Sequence, residues 1–338
     1  MHKHNDAGFS LIELLFGTAL TLIVVGAGLG AFVKGMDVTD TARIISETNQ
    51  SLQVAQSLMV RDFIQVGQGI PRGGIPVPSG AGAVALARPS EAVGLTFPVA
   101  WETLPAISPG AALGPIVLGV TTDIVTMMYA DPTLVLSQFP LVGIAADGSA
   151  MTVNAGTPIT TPDGLKVGDV ILFSNALGNA MQVITRTNNN QIVDFELNDP
   201  MGLNQRAAPQ GTIMNLAQDD GAFPPTTATR VLIISYYVDR VTDPTLPRLM
   251  RQVNGGQARA IAMGVENLQF SYDFVDGVGN PTNQEAIPGA NSANQIRKVN
   301  LFMSARSIDI NTHTAQPYRN SVAGQVGLRS LTFMDRYR

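Results

Sequence analysis

The stretch GFSLIELLFGTALTLIVVGAGLGAFV, from Gly8 to Val33, is apolar almost throughout and begins at the end of the polar segment MHKHNDAG. Between Phe9 and Val33 only Glu13 has an ionisable side chain. At about 1.5 Å per residue, a helix of this length spans roughly 37 Å, more than the ~30 Å hydrocarbon core of a bilayer. The sequence therefore predicts a transmembrane helix over residues 9–33.

Glu13 is the anomaly in this segment, because a carboxylate at the centre of a membrane helix costs about 2.5 to 3.5 kcal/mol on insertion scales and less near an end. A positive group inside the apolar layer would offset that cost. Cleavage after Gly8 would create one, the α-amine of Phe9, which lies four residues before Glu13 and therefore on the same helix face. This amine could pair with Glu13 of its own chain or of a neighbour.

The string GFSLIELL resembles the processing site of type IV prepilins and of the related pseudopilins of type II secretion. The resemblance implies a leader peptide at residues 1–8 that a prepilin peptidase removes by cutting after Gly8. It also implies N-methylation of Phe9 and a role for Glu13 in docking the subunit into a filament. A plain signal anchor would explain the length of the apolar run, but not Gly8, Phe9 or Glu13.

Many members of that family have a proline at the position that Gly30 occupies here. Gly26, Gly28 and Gly30 are therefore candidates for loosening the helix, since each glycine costs about 1 kcal/mol of helix stability relative to alanine. Close packing of this small-residue face against other helices is the alternative interpretation.

The helical pattern continues past the apolar run as an amphipathic segment over residues 34–66. Its apolar stripe, which we expect to pack on the protein's own core, consists of Ile45, Leu52, Ala55, Met59, Phe63 and Val66. The opposite face is polar apart from Val54 and Ile64. Gly67, Gly69 and Pro71 are predicted to end the helix.

The remainder of the chain is predicted to be irregular over residues 67–121, which are rich in glycine and proline, and β-rich over residues 122–338. Trp101 lies in the irregular region, where we expect it to fill the core or anchor a loop, with a partner contact as the alternative. Strands are predicted at 123–129, 169–174, 180–186, 191–197, 230–238, 248–253, 268–274, 298–306 and 328–334. The fold class is α+β: a long N-terminal helix against an antiparallel sheet.

The size and order of these segments resemble the PilW kind of minor pilin, a group related to the J-type pseudopilin of type II secretion. This resemblance implies a structural subunit that primes or caps a type IV pilus. It further implies a single-pass precursor in the bacterial inner membrane with its domain in the periplasm, and a pilus or cell-surface location after assembly. The implied partners are the prepilin peptidase and other pilins. A secretion pseudopilin, a tip adhesin and a DNA-uptake module are the alternatives.

Residue usage argues against an enzyme. The chain has no cysteine and three histidines, two of them before Gly8. This excludes a thiolate site and a multi-histidine zinc site, and a Ser-His-Asp triad would have to use His313, which we interpret as a loop residue. We expect no cofactor.

Two weaker features remain. Asp273, Asp276, Asn280 and Glu285 vaguely resemble a calcium loop but lack its spacing, so a hairpin turn is the preferred interpretation. The last 42 residues contain seven basic side chains and two acidic ones. Without interleaved aromatic residues, and in a chain with a net charge of −5, this segment argues for solvated strand faces rather than for nucleic-acid binding.

Overall fold

A computed structural model describes residues 10–134, 136, 141–156, 164–188, 191–311 and 314–332. Helix α1 (Leu11–Gln65) contains 55 residues and is about 82 Å long at 1.5 Å per residue. Val66 leaves the helical conformation, and Gly67 and Gly69 follow with positive φ angles of 78° and 68°. The predicted helix, including its end at the glycines, is confirmed within this described part.

Eighteen strands and a short helix α2 (Arg329–Thr332) follow α1 in the described part of the chain. The strands are β1 (Ile75–Pro76), β2 (Thr103–Leu104), β3 (Ile107–Gly110), β4 (Ile116–Val117), β5 (Val120–Thr121), β6 (Ile124–Ala130), β7 (Leu141–Ile144), β8 (Ala150–Val153), β9 (Val170–Asn175), β10 (Gly178–Val183), β11 (Arg186–Asn188), β12 (Ile192–Asp194), β13 (Thr227–Asp239), β14 (Arg248–Val253), β15 (Arg259–Met263), β16 (Val265–Phe274), β17 (Ile296–Asn311) and β18 (Gln316–Gly327). The class is therefore α+β, as predicted.

All strand pairs in the described residues are antiparallel. The largest sheet contains seven strands and is centred on β13, which pairs with β6 along one edge and with β9 and then β14 along the other. It is completed by β10 on β9, β15 on β14 and β3 on β6. A second sheet has the order β16-β17-β18, and a third has the order β11-β12-β8-β7. Two further pairs, β1 with β2 and β4 with β5, lie in the region predicted to be irregular.

The main core forms where the second half of α1 packs on the β16-β17-β18 sheet and on the central strands of the large sheet. The Phe63 ring meets the Phe270 ring edge-on, with centroids 5.9 Å apart. On β16 the side chains of Leu268, Phe270, Tyr272 and Phe274 are buried and alternate with partly exposed neighbours, as its sequence predicts. This sheet gives α1 a flat apolar surface.

The strand predicted at 328–334 is wrong. Residues Arg329–Thr332 form α2, and residues 333 and 334 lie outside the described part. Leu328 and Leu331, three residues apart, are both buried, and Leu331 packs next to Gly67 at the end of α1. A helical turn places residues at i and i+3 on one face, whereas a strand would point them in opposite directions.

The strand predicted at 180–186 is divided between β10 and β11. Within residues 122–338 four strands, β7, β8, β15 and β18, were not predicted, and β1 to β5 lie in the region predicted to be irregular. Of these, β18 (QPYRNSVAGQVG) is the longest and has mostly exposed side chains. It lacks the alternating large apolar residues on which strand prediction depends.

Candidate functional site: the N-terminal helix and its attachment

The first turn of α1 is closed by Ser10 and Glu13. The Ser10 backbone N–H donates to the Glu13 carboxylate Oε2 over 3.0 Å, and the Glu13 N–H donates to Ser10 Oγ over 3.3 Å. This capping box satisfies two donors that would otherwise be unpaired at the helix start. The Ser-x-x-Glu spacing was present in the sequence as its signal, but the sequence interpretation assigned no role to Ser10.

The Glu13 carboxylate is thus held at the helix N-terminus, where the helix dipole favours negative charge. Its second oxygen, Oε1, has no hydrogen-bond partner among residues 10–332 that the structure describes. Gly8 and Phe9 lie outside the described residues, so cleavage, methylation and the pairing of the Phe9 amine with Glu13 stay predictions. The arrangement leaves one carboxylate oxygen able to accept a hydrogen bond from an ammonium group.

The first half of α1 is bare. All side chains from Leu11 to Val33 are exposed, and the helix is long and apolar enough to cross a membrane. Its exposed large apolar side chains are Leu11, Ile12, Leu14, Leu15, Phe16, Leu20, Leu22, Ile23, Val24, Val25, Leu29, Phe32 and Val33. Such a surface requires lipid or like helices to cover it.

Polar groups within this half are satisfied by the helix itself. The Thr18 hydroxyl donates to the Leu15 carbonyl over 3.0 Å, and the Thr21 hydroxyl donates to the Gly17 carbonyl over 2.7 Å. Internal pairing of this kind is what hydrocarbon demands of a spanning segment, because lipid offers no hydrogen-bond partners.

The three candidate glycines lie in uninterrupted helix. A Cβ atom added at Gly26, Gly28 or Gly30 would meet no other described atom within 4 Å, apart from the helix's own neighbouring backbone. No contact with the described part of this chain's own domain therefore accounts for these glycines. Loosening of the helix and close packing against other helices both stay predictions.

The second half of α1 attaches the helix to the globular domain. Its buried side chains belong to Ile44, Thr48, Leu52, Ala55, Met59, Asp62 and Phe63. The predicted stripe is confirmed from Leu52 onward, while Ile44 rather than Ile45 is the buried residue at its start. Val54 and Ile64 are exposed, as their position on the polar face implies.

Asp62 is the one carboxylate on this buried face and is only 2% exposed. Its Oδ1 accepts from the Tyr129 hydroxyl over 3.1 Å, and its Oδ2 accepts from the Tyr236 hydroxyl over 2.6 Å and from Arg251 Nε over 2.8 Å. The three donors stand on β6, β13 and β14, so this network, which the sequence interpretation missed, joins α1 to three strands of the large sheet. Hydrogen bonds to a buried charge are among the stronger ones in proteins.

The ionisation of the partners reflects this geometry. Burial, reinforced by the neighbouring Asp62 charge, raises the pKa of the Tyr129 and Tyr236 hydroxyls, so both remain donors. Burial disfavours the charged form of Arg251, but its contact with Asp62 outweighs that effect and raises the pKa of its guanidinium. The two hydroxyls and the guanidinium therefore stay protonated through the physiological range.

A second attachment lies near the end of the apolar run. Arg43 contacts Glu47 at 3.1 Å within α1 and Asp309 of β17 at 2.9 Å, and Asn311 Nδ2 donates to the Thr41 hydroxyl over 3.1 Å. Arg43, Glu47 and Asp309 are exposed, so their ion pairs contribute little to stability, whereas Thr41 and Asn311 are partly buried. They nevertheless hold the β17–β18 hairpin against α1 on the side of the domain that faces the apolar run.

Three of the four residues of the calcium hypothesis, Asp273, Asp276 and Asn280, have hydrogen-bond partners in the protein. Asp273 pairs with Lys298 at 2.5 Å, whereas Asp276 Oδ1 accepts from the Val278 and Asn280 backbone N–H groups over 2.8 and 2.9 Å. These N–H groups lower the pKa of Asp276 to about 2. The chain turns back here so that Gln284 pairs with Tyr272, a hairpin turn as preferred from the sequence. Among the described residues, no group of three or more His, Asp or Glu side chains has metal-binding geometry.

The basic C-terminal segment is largely engaged in ion pairs. Lys298 pairs with Asp273, and Arg319 and Arg306 both contact Glu266, at 2.7 and 3.6 Å. Such pairing fits solvated and partly covered strand faces. His313, Arg336 and Arg338 lie outside the described residues.

No protein-family model, no curated protein and no solved structure matches this chain. The function is therefore inferred from the residues and geometry above: an exposed apolar helix with a carboxylate near its start, attached through its second half to an α+β domain.

Proposed function

We propose that this protein is a minor pilin of the PilW kind: a subunit anchored by residues 9–33, cut after Gly8 and built into a type IV pilus. The observation that carries the proposal is Glu13, an acidic side chain in a bare apolar helix directly after the Gly8-Phe9 pair. A carboxylate is retained at such a costly position when something specific pairs with it.

The division of α1 supports an assembly role. Its side chains from Leu11 to Val33 are exposed in the described part of the chain, while its second half is joined to the domain by an apolar stripe and the Asp62 network. A helix held in this way presents a preformed apolar surface that exchanges lipid contacts for contacts with like helices at little cost in internal rearrangement.

The Glu13 carboxylate, held in place by the capping box, provides the charged group for docking. Cleavage after Gly8 leaves Ser10 and Glu13 in place and creates an ammonium group on the residue immediately before Ser10. Glu13 Oε1 can then accept a hydrogen bond from that ammonium group, either of its own chain or of a neighbouring subunit. An ion pair in a low-dielectric layer is strongly favoured over two separated charges, so correct docking is rewarded.

The test is the N-terminus of the full chain isolated from membranes, determined by intact mass and N-terminal sequencing with and without the prepilin peptidase. We expect a chain that begins at N-methyl-Phe9 only when the peptidase is present. Gly8→Val is the matched control, because it removes the small residue before the cut while leaving the apolar helix unchanged. A wild-type chain that still begins at Met1 with the peptidase present, or is cut beyond Val33, would contradict the proposal.

A further inference from the structure

A surface cleft of about 530 Å³ lies between the loop that contains Trp101 and the loop over residues 287–294. Its volume falls within the range of about 300 to 1,000 Å³ that is typical of small-molecule sites. Hydrogen bonds fix the second loop: Asn294 Nδ2 donates to the Gly73 carbonyl over 3.0 Å, and Asn291 Nδ2 donates to Asp276 Oδ2 over 3.1 Å. The cleft is therefore preformed.

Trp101 forms one wall. It is the only tryptophan of the chain and is half-buried, with its ring 6.2 Å from the Phe97 ring and tilted by 31° to it. The backbone N–H of Trp101 donates to the Pro98 carbonyl over 3.0 Å, which holds the loop in a turn. Trp101 is therefore a large aromatic residue that packs on Phe97 and lines the cleft, where it provides an apolar wall.

The other walls offer hydrogen-bonding groups without a positive charge. Glu102 and Thr103 are exposed, and their side chains have no hydrogen-bond partner in the described part of the chain. Asn291 and Asn294 donate through their amide nitrogens, so their amide oxygens remain able to accept. The lining residues include no lysine or arginine. An anionic ligand would therefore meet the Glu102 carboxylate with nothing to offset it.

We propose that this cleft binds a neutral carbohydrate. A hexose ring has an apolar C–H face and a rim of hydroxyl groups, and the cleft offers a counterpart to each. The ring face stacks on Trp101, and the hydroxyls donate to Glu102 and to the amide oxygens of Asn291 and Asn294. These acceptor groups favour a ligand that is rich in donors, because each hydrogen bond made to the ligand contributes to affinity and specificity.

The position of the cleft suits a ligand on the side of the membrane that carries the domain. Gln65 at the end of α1 is 32 residues beyond Val33, a distance of about 48 Å along the helix. The cleft lies beside Gly73, just past that end, and therefore on the side of the domain away from the apolar run. This inference requires the anchored chain but not its entry into a filament.

The experiment uses the full chain in lipid nanodiscs, since sugar-based detergents would compete. The lone tryptophan serves as the reporter. Its fluorescence is titrated with glucose, galactose, N-acetylglucosamine and their disaccharides, and saturation-transfer NMR identifies the bound ring face. We expect a saturable change in Trp101 emission with at least one neutral sugar. Glucuronic acid, which carries a carboxylate, is expected to bind at least tenfold more weakly than glucose.

Three variants complete the test. We expect Trp101→Ala to lose at least tenfold in affinity, measured by NMR and calorimetry, and Glu102→Gln to weaken binding while leaving the fold unchanged. Glu196→Gln, at an exposed carboxylate elsewhere, is the matched control and should bind like the wild type. The proposal is overturned by the absence of saturable binding to every sugar, by equal binding to Trp101→Ala, or by preferential binding of a proline-rich peptide.

Discussion

Asp62 is a single side chain on which the attachment of α1 depends. It is almost fully buried, and its carboxylate accepts from two tyrosine hydroxyls and one guanidinium. Asp62→Asn removes the charge, leaves Arg251 without its partner and replaces one acceptor oxygen by a donor that faces other donors. Because removing one member of a buried pair typically costs about 3 to 5 kcal/mol, we expect the free energy of unfolding to fall by about 3 kcal/mol.

Urea denaturation followed by tyrosine fluorescence and circular dichroism measures this change. Asp219→Asn is the matched control, because Asp219 is exposed and should shift the free energy by less than about 0.5 kcal/mol. If the two variants had equal stability, the Asp62 network would not contribute to holding α1 on the sheet.

The contrast between Ser10 and Asp62 shows what the sequence allows at this scale. Ser10 could have been assigned from the Ser-x-x-Glu spacing, since both partners lie within one helical turn. Asp62 could not, because its donors Tyr129, Tyr236 and Arg251 are 67, 174 and 189 residues away. Only the tertiary fold brings such groups together. In the sequence, an acidic residue beside an apolar stripe only weakens the amphipathic pattern and indicates no partner.

Among the elements, α1 was predictable over its described length and at its C-terminal end because its signals are local. Apolar periodicity, the absence of proline and the glycines after Gln65 decide the helix without reference to the rest of the chain. Strands with large alternating side chains, such as β16, were predicted equally well. By contrast, β18 has few apolar side chains and is held by pairing with β17. The turn at Arg329–Thr332 is helical because it places Leu328 and Leu331 together in the main core. Both outcomes depend on tertiary contacts.

The glycines of α1 give a prediction for this element. Changing Gly26, Gly28 and Gly30 together to alanine should leave membrane insertion and domain stability unchanged, because no described atom outside the neighbouring helix backbone lies within 4 Å of the added Cβ atoms. Loosening and close packing both predict that incorporation into filaments falls several-fold. Each alanine stiffens the helix by about 1 kcal/mol and also widens its small-residue face.

The measurement compares the amount of the subunit in sheared filaments with that in membranes. Gly17→Ala is the matched control, since Gly17 lies on the same bare helix and also has free space around it. Equal incorporation of the triple variant and this control would contradict both roles. Gly30→Pro then separates them: retained incorporation favours loosening, and lost incorporation favours close packing.

At the scale of the whole molecule, the stability of the domain and the proposed assembly depend on different parts of one helix. The buried residues that join α1 to the globular domain lie between Ile44 and Phe63, whereas Glu13, among the described residues, hydrogen-bonds only with Ser10. Changes in the first half should therefore alter assembly without altering the unfolding of the domain. Changes in the second half should do the reverse.

Glu13 provides the decisive case, because two substitutions separate its local role from its proposed one. Glutamine can still complete the capping box with Ser10 but has no charge, whereas alanine loses both, at a local cost of about 1 kcal/mol. If Glu13 docks the subunit by pairing with an α-amine, Glu13→Gln and Glu13→Ala should both insert and be cleaved normally. Both should then fall at least tenfold in filament incorporation, with domain unfolding unchanged.

The comparison requires cleaved wild-type, Glu13→Gln and Glu13→Ala chains at equal membrane levels, with quantitative immunoblotting of sheared filaments. Normal incorporation of Glu13→Gln beside a defect in Glu13→Ala would mean that the capping box, not the charge, is what assembly requires. Normal incorporation of both would mean that the charge of Glu13 has no docking function. A defect in both, matched by wild-type unfolding of the domain, would place the action of Glu13 in assembly rather than in the globular domain, since among the described residues its carboxylate contacts only Ser10.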